Sequence, residues 1–538
     1  IAERSGLTPQ RALMLFGLAV LSMGGFMFSQ TLGIDDELNL FQSDAFWTWF
    51  RQGRFLIGAA QWLVPQSVTT LFPYLLLACA YVISHALLIA CHGLRHTWRS
   101  DLAYLVFILF PTNWLSQEFV INIPGFALGL LSITLAALLT LHAVVLPMAA
   151  SRRLLLGVLI AALLVVAIGG FQSLITLYLT IGTGLVLFRG PTCAWLHLAN
   201  GSVIRPAKLL LWFSGLSVVA IVAHTALLRV FVSITHSQVH QIDRYFRSPY
   251  FMLRTQPYHY ILGNIDQFLK TYLTPGYFYG YSLSAFSVLL FGFACLYIYS
   301  RRRGLLLSAT SPRARAFESW IGLDGWPFWM AFLLLLIEPL LLNLVSSPYR
   351  IPMRALMALP YLAWLAVIFW LEISSRLPGR LLRWGGVCLS GLLVVQCLIA
   401  TSNYYAARQF NFRSDQLVAS SIVSAIINSD STSDQRPAAP VRYLATSGSL
   451  SREVPYRTAW YSTAGSSFFN WDNGNAGRMV AWLRAMGIDD LKPLPVGSQQ
   501  RFNGILESMS VWPQPGSIRV VDQVVLVHFG RIETQTSR

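Results

Sequence analysis

The sequence predicts an α-helical, polytopic membrane protein with about eleven transmembrane helices and a small C-terminal α/β domain. Only 12% of the 538 residues are Asp, Glu, Lys or Arg, whereas an ordinary soluble domain has roughly 25%. Apolar and aromatic residues make up 55% of the chain, and the mean hydropathy is +0.55. Long apolar stretches recur with short basic breaks between them. Together these observations exclude a water-soluble globule.

Each passage through the bilayer needs about 20 predominantly apolar residues, and the sequence predicts eleven such crossings. They lie at residues 12–32, 68–90, 102–116, 124–147, 154–170, 172–188, 209–232, 281–300, 327–345, 355–375 and 384–403. Arginine and lysine concentrate in every second loop between them. Because basic loops stay in the cytoplasm, the N-terminus is expected to be cytoplasmic and the chain beyond the last crossing to be outside.

A change of composition near residue 404 predicts a domain boundary, because charged residues become more frequent after it. Residues 1–403 form the expected membrane domain, with outward loops at 33–67 and 234–280. The second loop mixes aromatic and polar residues, which suits helices lying along the membrane interface. Residues 404–538 predict a small soluble domain, with helices at 414–427 and 479–486 and strands within 517–529.

Charge and cysteine content exclude several other classes of protein. The net charge of +16 does not indicate nucleic-acid binding, since the basic residues lie in short clusters between apolar spans. The six cysteines show no paired spacing, so we expect neither a zinc site nor disulfides. There is no tandem repeat and no glycine-rich phosphate loop, which argues against an ATP-driven pump.

Three consecutive acids, Asp35, Asp36 and Glu37, begin the first outward loop. One of these carboxylates can face a cleft and act as a general base, while its neighbour raises its proton affinity. The alternative is a solvated acidic helix end. Such a cluster can also hold a divalent cation, but the sequence shows no complete ligand shell, so no metal or cofactor is assigned.

Four arginines in outward loops are candidates for binding a phosphate group. Arg51 and Arg54 follow an aromatic run that suits a sugar ring or the headgroup region. Arg350 and Arg354 flank a proline-containing outward turn. Arginine binds phosphate through forked hydrogen bonds, although Arg350 and Arg354 can equally lie among lipid headgroups.

The order of several short motifs resembles that of the serotype-converting O-antigen glucosyltransferases, which are integral membrane enzymes of the GT-C class. The Asp35-Asp36 pair follows the first membrane helix, and Gly53-Arg54-Phe55-Leu56 precedes the second. The resemblance runs along almost the whole chain. The further motifs are Gly170-Phe171-Gln172-Ser173 with Tyr178, Pro348-Tyr349-Arg350-Ile351-Pro352-Met353-Arg354-Ala355-Leu356, and Ser467-Phe468-Phe469-Asn470-Trp471-Asp472 with Gly474 and Arg478.

This resemblance implies a location in a bacterial inner membrane, with the C-terminal domain in the periplasm. It further implies a polyprenyl-phosphate-linked sugar donor, typically glucose, and a lipid-linked O-antigen or another surface glycan as acceptor. An acidic residue of the first outward loop would act as base in a direct, inverting displacement, and we favour Asp36 over Asp35. Further substrate-binding candidates are Glu37, Glu118, Asn122, Gln172, Tyr178 and Trp471.

Three of these candidates have an alternative structural interpretation. Glu118 and Asn122 can orient the acceptor or the base, or they can belong to a solvated loop. Trp471 can contact a glycan or serve as a core tryptophan. Two rival functions also stay open: an O-antigen polymerase or ligase, and a transporter or flippase for a lipid-linked sugar.

Overall fold

The structure is a computed structural model and is mostly helical, with helix in 76% of the residues that it describes. It describes residues 6–29, 31–40, 45–63, 71–188, 206–235, 249–273, 280–302, 326–345, 352–375, 379–431, 442–450, 454–459, 462–495 and 497–530. Arg350 lies outside these residues, as do 236–248 and 274–279 of the predicted loop at 234–280.

The membrane domain is built from helices of very different length. Its helices are α1 (Pro9–Ser29), α2 (Asp36–Asn39), α3 (Ala45–Arg51), α4 (Phe55–Leu63), α5 (Leu71–Cys91), α6 (Trp98–Leu109), α7 (Pro111–Leu115), α8 (Ile123–Val145), α9 (Ala150–Gly170), α10 (Leu174–Leu187), α11 (Pro206–Thr235), α12 (Pro249–Thr255), α13 (Pro257–Tyr272), α14 (Ser284–Arg302), α15 (Trp326–Ile337), α16 (Leu341–Leu344), α17 (Leu359–Ser374) and α18 (Arg380–Ser431). Short 3-10 turns at Ser116–Glu118 and Val120–Asn122 lead into α8.

Among the described residues, six helices are long and apolar enough to cross a membrane, namely α1, α5, α8, α9, α11 and α18. Four shorter apolar segments lie at Leu174–Leu187, Ser284–Tyr299, Met330–Leu344 and Leu359–Ser374. The prediction of a helical membrane protein is therefore confirmed. The predicted count of eleven crossings is not confirmed.

The segment expected to cross at residues 102–116 is divided into two helices. Helix α6 has 12 residues and ends at Leu109, because Pro111 cannot donate to the preceding turn and starts a new helix at its first position. Twelve helical residues span about 18 Å, which is less than the roughly 30 Å of a hydrocarbon core.

Helix α18 connects the membrane domain to the C-terminal region without interruption. It has 52 residues and passes straight through residue 404, where the composition changes. The predicted domain boundary therefore falls within a continuous helix. Near its membrane half, the Gln396 side chain bonds to the backbone nitrogen of Ala285 at 3.1 Å and to the Ser284 hydroxyl at 2.9 Å.

The C-terminal region contains a four-stranded sheet, which we call the sheet domain (described residues 442–530). Its strands are β1 (Arg442–Ser447), β2 (Leu491–Pro493), β3 (Ile518–Val521) and β4 (Val524–His528), in the order β2-β1-β4-β3. Strand β1 is parallel to both neighbours, while β3 and β4 form an antiparallel hairpin. Its two turn residues, Asp522 and Gln523, have φ values of 48° and 64°, as a type I′ turn requires.

Helices α19 (Ala476–Ala485) and α20 (Asn503–Ser508) cover the sheet. One side of the sheet packs against Trp482, Phe468 and the apolar face of α18 at Val418. Ile34, from the first loop of the membrane domain, is part of this same core and is 3% exposed. The first loop is thus packed into the sheet domain and fixed against it.

Candidate functional site

The first loop turns sharply just after α1. Asp35 has φ 78°, a left-handed conformation that Asp tolerates better than most residues. This turn sends Ile34 into the sheet domain and allows α2 to start at Asp36. The three predicted acids consequently lie in two environments, one for Asp36 and one shared by Asp35 and Glu37.

Asp36 is completely buried among backbone donors. Its carboxylate accepts hydrogen bonds from the backbone N–H groups of Gly33 at 2.9 Å, Ile121 at 3.3 Å and Val120 at 3.4 Å. Burial raises its pKa to about 6, although the Arg408 charge and these N–H groups act in the opposite direction. A carboxylate with this pKa is mostly ionised at neutral pH and can still accept a proton.

Arg478 of the sheet domain binds the acids on either side of Asp36. Its guanidinium lies 2.6 Å from the Glu37 carboxylate, 2.7 Å from Asp35 and 2.5 Å from Asp472. Glu37 is fully buried, whereas the Asp35 side chain is 38% exposed. Burial raises the pKa of Glu37 to about 7; the Arg478 charge counteracts this, and the Asp35 charge adds to it.

Glu118 joins the same region from the other side, so the alternative interpretation, a solvated loop, is wrong. It is 2% exposed and accepts hydrogen bonds from the Ser462 hydroxyl, from the backbone N–H of Thr463 at 3.2 Å and from its hydroxyl at 3.1 Å. Arg354 lies 4.0 Å from the Glu118 carboxylate and 4.7 Å above the Phe119 ring. Glu118 therefore holds a loop of the sheet domain.

Arg408 was not identified from the sequence, yet it lies at the centre of this region. It is 7% exposed, beside Asp36 and 4.9 Å above the Phe26 ring of α1. A signal was available in the helical spacing, because Tyr404, Arg408 and Asn411 share a face that continues into Val418. A single arginine after an apolar run resembles a membrane-end residue, and its buried position depends on the sheet domain.

A small cavity lies where the first loop, Glu118 and α18 meet. Its lining is Leu32, Gly33, Ile34, Glu118, Arg408, Asn411, Phe412, Asp415, Thr463, Ala464, Ser466 and Phe468. The cavity has a volume of about 20 Å³, which is enough for about one water molecule. In this closed arrangement the cavity is smaller than a hexose.

The predicted residues of the aromatic loop form a separate cluster. Arg51 is exposed at the end of α3. Arg54 lies over the rings of Trp49 and Phe171 at 5.6 and 5.7 Å and donates to Gln172 at 3.4 Å. The Gln172 side-chain amide donates to the Gln52 carbonyl oxygen, just before Arg54 in the chain. These contacts connect α9, α10 and the aromatic loop to one another.

The remaining candidates have positions of different kinds. The Tyr178 hydroxyl lies 2.6 Å from that of Thr140, and its ring packs against Phe213 within the helix bundle. Asn122 is buried at the start of α8, close to the backbone groups that bind Asp36. Trp471 is partly buried against the core of the sheet domain and precedes Asp472, one of the Arg478 partners.

The acids of the first loop are arranged as ion-pair and backbone-binding groups. Within the described parts of the chain, no group of three or more His, Cys, Asp or Glu side chains converges as metal ligands would.

Comparisons with protein-family models, with curated proteins and with solved structures found no match to this chain.

Proposed function

We propose that the protein is a membrane glycosyltransferase that moves a sugar, which we take to be glucose, from a polyprenyl-phosphate donor to a periplasmic glycan such as O-antigen. The observation that carries this proposal is the placement of Asp36. A buried carboxylate with a pKa of about 6 lies immediately after the first membrane helix, next to a buried arginine. The motif order described above also supports it. In this proposal the membrane is a bacterial inner membrane and the sheet domain is periplasmic.

The chemistry follows from the poor nucleophilicity of a sugar hydroxyl. Asp36 takes the proton of the acceptor hydroxyl as its oxygen attacks the anomeric carbon. A glycosidic C–O bond forms, the bond from the anomeric carbon to the phosphate oxygen breaks, and the electron pair leaves on the polyprenyl phosphate. The attack comes from the opposite face, so the anomeric configuration inverts.

Asp36 is a better candidate for the base than either neighbour. Asp35 and Glu37 are each ion-paired to Arg478 through one carboxylate oxygen, so both already have a counter-charge. Asp36 is bound by backbone donors, which hold its carboxylate in a fixed orientation. Because the adjacent cavity has room for about one water, substrate entry in this mechanism separates the loop around Thr463 from Glu118.

The test is sugar transfer by the purified full-length protein. The donor is radiolabelled polyprenyl-phosphate glucose and the acceptor is lipid-linked O-antigen, with and without EDTA. We expect Asp36→Asn to lower kcat by about 10²- to 10⁴-fold, the usual contribution of general base catalysis. Asp35→Asn serves as the matched control and should keep most of the activity. Full activity in both variants would refute the mechanism and favour a polymerase or ligase.

A further inference from the structure

The guanidinium of Arg408 is buried with unsatisfied donors. Its Nη2 donates to the Thr31 carbonyl at 2.8 Å, and the Tyr74 hydroxyl lies next to the group. Nε and Nη1 are buried and have no hydrogen-bond partner. Leaving charged donors unpaired away from water is costly. An arginine that only stabilised the fold would be expected to satisfy these groups internally.

Arg408 also lines the cavity beside Asp36. Arg408 is the cationic side chain in its lining. The two carboxylates of the same lining are engaged elsewhere: Glu118 binds Ser462 and Thr463, and Asp415 binds the Ser467 hydroxyl at 2.5 Å and the Phe468 N–H at 3.0 Å. The cavity therefore combines an available positive charge with acids that already have donors.

The position of Arg408 also suits a ligand that is anchored in the membrane. Its guanidinium stacks on Phe26, in the last turns of α1, and bonds to the chain just beyond that helix at Thr31. It thus lies where a membrane helix gives way to the sheet domain. A phosphate attached to a lipid tail would lie at a comparable depth.

We propose that Arg408 binds a phosphate oxygen of the lipid-linked donor in this cavity, an inference that rests on the proposed function. Charge-assisted hydrogen bonds from Nε and Nη1 would satisfy both open donors. When the anomeric bond breaks, the phosphodiester becomes a monoester with more negative charge. The same contact would therefore strengthen in the transition state and favour departure of the leaving group.

The proximity of Arg408 to Asp36 gives the site a further property. The arginine charge holds the pKa of Asp36 lower than burial alone would. A phosphate bound to Arg408 offsets that charge, so donor binding raises the proton affinity of Asp36. The base would become stronger when the donor is present.

The experiment measures binding of farnesyl phosphate to the full-length protein in detergent, with farnesol as the ligand that lacks the phosphate. Arg408→Gln should bind farnesyl phosphate about 10- to 100-fold more weakly, the range expected for lost charge-assisted hydrogen bonds. Arg413→Gln is the matched control, since Arg413 is exposed on the same helix. Unchanged affinity in a folded Arg408→Gln protein would overturn the inference.

Two further measurements cover the other outcomes. If Arg408→Gln does not fold, hydrogen exchange of the wild-type protein decides: farnesyl phosphate should protect residues 32–34 and 408–412 more than farnesol does, and equal exchange refutes the site. Inorganic phosphate tests the source of the anion. Competition at equal affinity identifies a free phosphate as the ligand and refutes the lipid-linked donor.

Transfer assays on the same preparations separate this inference from the proposed function. Binding that depends on Arg408 without any sugar transfer by the wild-type protein would refute the glycosyltransferase and leave the anion site standing. Transfer by the wild-type protein with an unchanged donor KM in Arg408→Gln would refute the anion site and leave the glycosyltransferase standing.

Discussion

The guanidinium of Arg478 lies 2.6 Å from the carboxylate of Glu37, which precedes it by 441 positions in the chain. This ion pair connects the sheet domain directly to the loop that carries Asp36. Together with the Asp35 contact and the insertion of Ile34 into the sheet-domain core, it closes the sheet domain over the candidate base. Access to Asp36 should therefore depend on these contacts.

Replacing Arg478 by Gln should loosen this closure. The variant leaves Glu37 buried without its counter-charge, and losing one partner of a buried pair costs about 3–5 kcal/mol. Hydrogen exchange at residues 33–39 should become faster. Arg484→Gln, at an exposed position on the same helix, should leave it unchanged. Equal exchange in the two variants would show that Arg478 does not hold the loop.

The loss of stability caused by Arg478→Gln should also depend on pH. The pKa of Glu37 is raised to about 7 by burial, so below pH 6 this carboxyl is mostly protonated in the folded protein and needs no counter-charge. Above pH 7 it is ionised and relies on Arg478. Thermal unfolding should therefore show a larger difference between wild type and variant at pH 8 than at pH 5. A difference that did not grow with pH would contradict the assignment.

Glu118→Gln should release the loop around Thr463. The amide keeps one acceptor oxygen but places an NH₂ group against donors that now bind a carboxylate, at a cost of about 1–3 kcal/mol. Protease cleavage or hydrogen exchange within residues 462–468 should increase. Glu372→Gln provides the control, because Glu372 pairs with Arg99 on other helices. Increased exchange in both variants would indicate a general loss of stability instead.

The pH dependence of transfer should report the ionisation of Asp36. A base must be deprotonated, and burial raises the pKa of this carboxyl to about 6. We expect kcat/KM to fall tenfold per pH unit below about pH 6 and to be level above it. This fall of kcat/KM at acidic pH should persist in Glu37→Gln. Its disappearance in that variant, or a limb near pH 7 in wild type, would identify Glu37 as the titrating group.

Gly33→Ala should disturb the candidate site without changing any charge. A Cβ at this position would lie 2.9 Å from the Asp36 carboxylate and closer still to the Glu118 carbonyl oxygen. Overpacking of this kind costs about 1–3 kcal/mol, and transfer should fall with it. Gly17→Ala is the matched control, because nothing lies within 4 Å of its Cβ. Similar losses in both proteins would exclude a local effect.

The sequence predicted a helical membrane protein, although the number of crossings is not confirmed, because apolar composition is a local property. The expected crossing at 124–147, for example, is the helix Ile123–Val145. The acids of the first loop were also visible as a cluster. Their different environments were not, because Arg478 and Glu118 become their neighbours only through tertiary contacts. Arg408 was missed for the same reason.

The length of α18 has a mechanical consequence. Its 52 residues correspond to about 78 Å at 1.5 Å per residue, well beyond a single bilayer core. Arg408 and Asp415 lie on the same rod as Gln396, which is fixed to α14. Displacing the sheet domain thus requires this rod to tilt or bend. Since membrane thickness influences helix tilt, we expect the lipid environment to alter the spacing between Arg408 and Thr31.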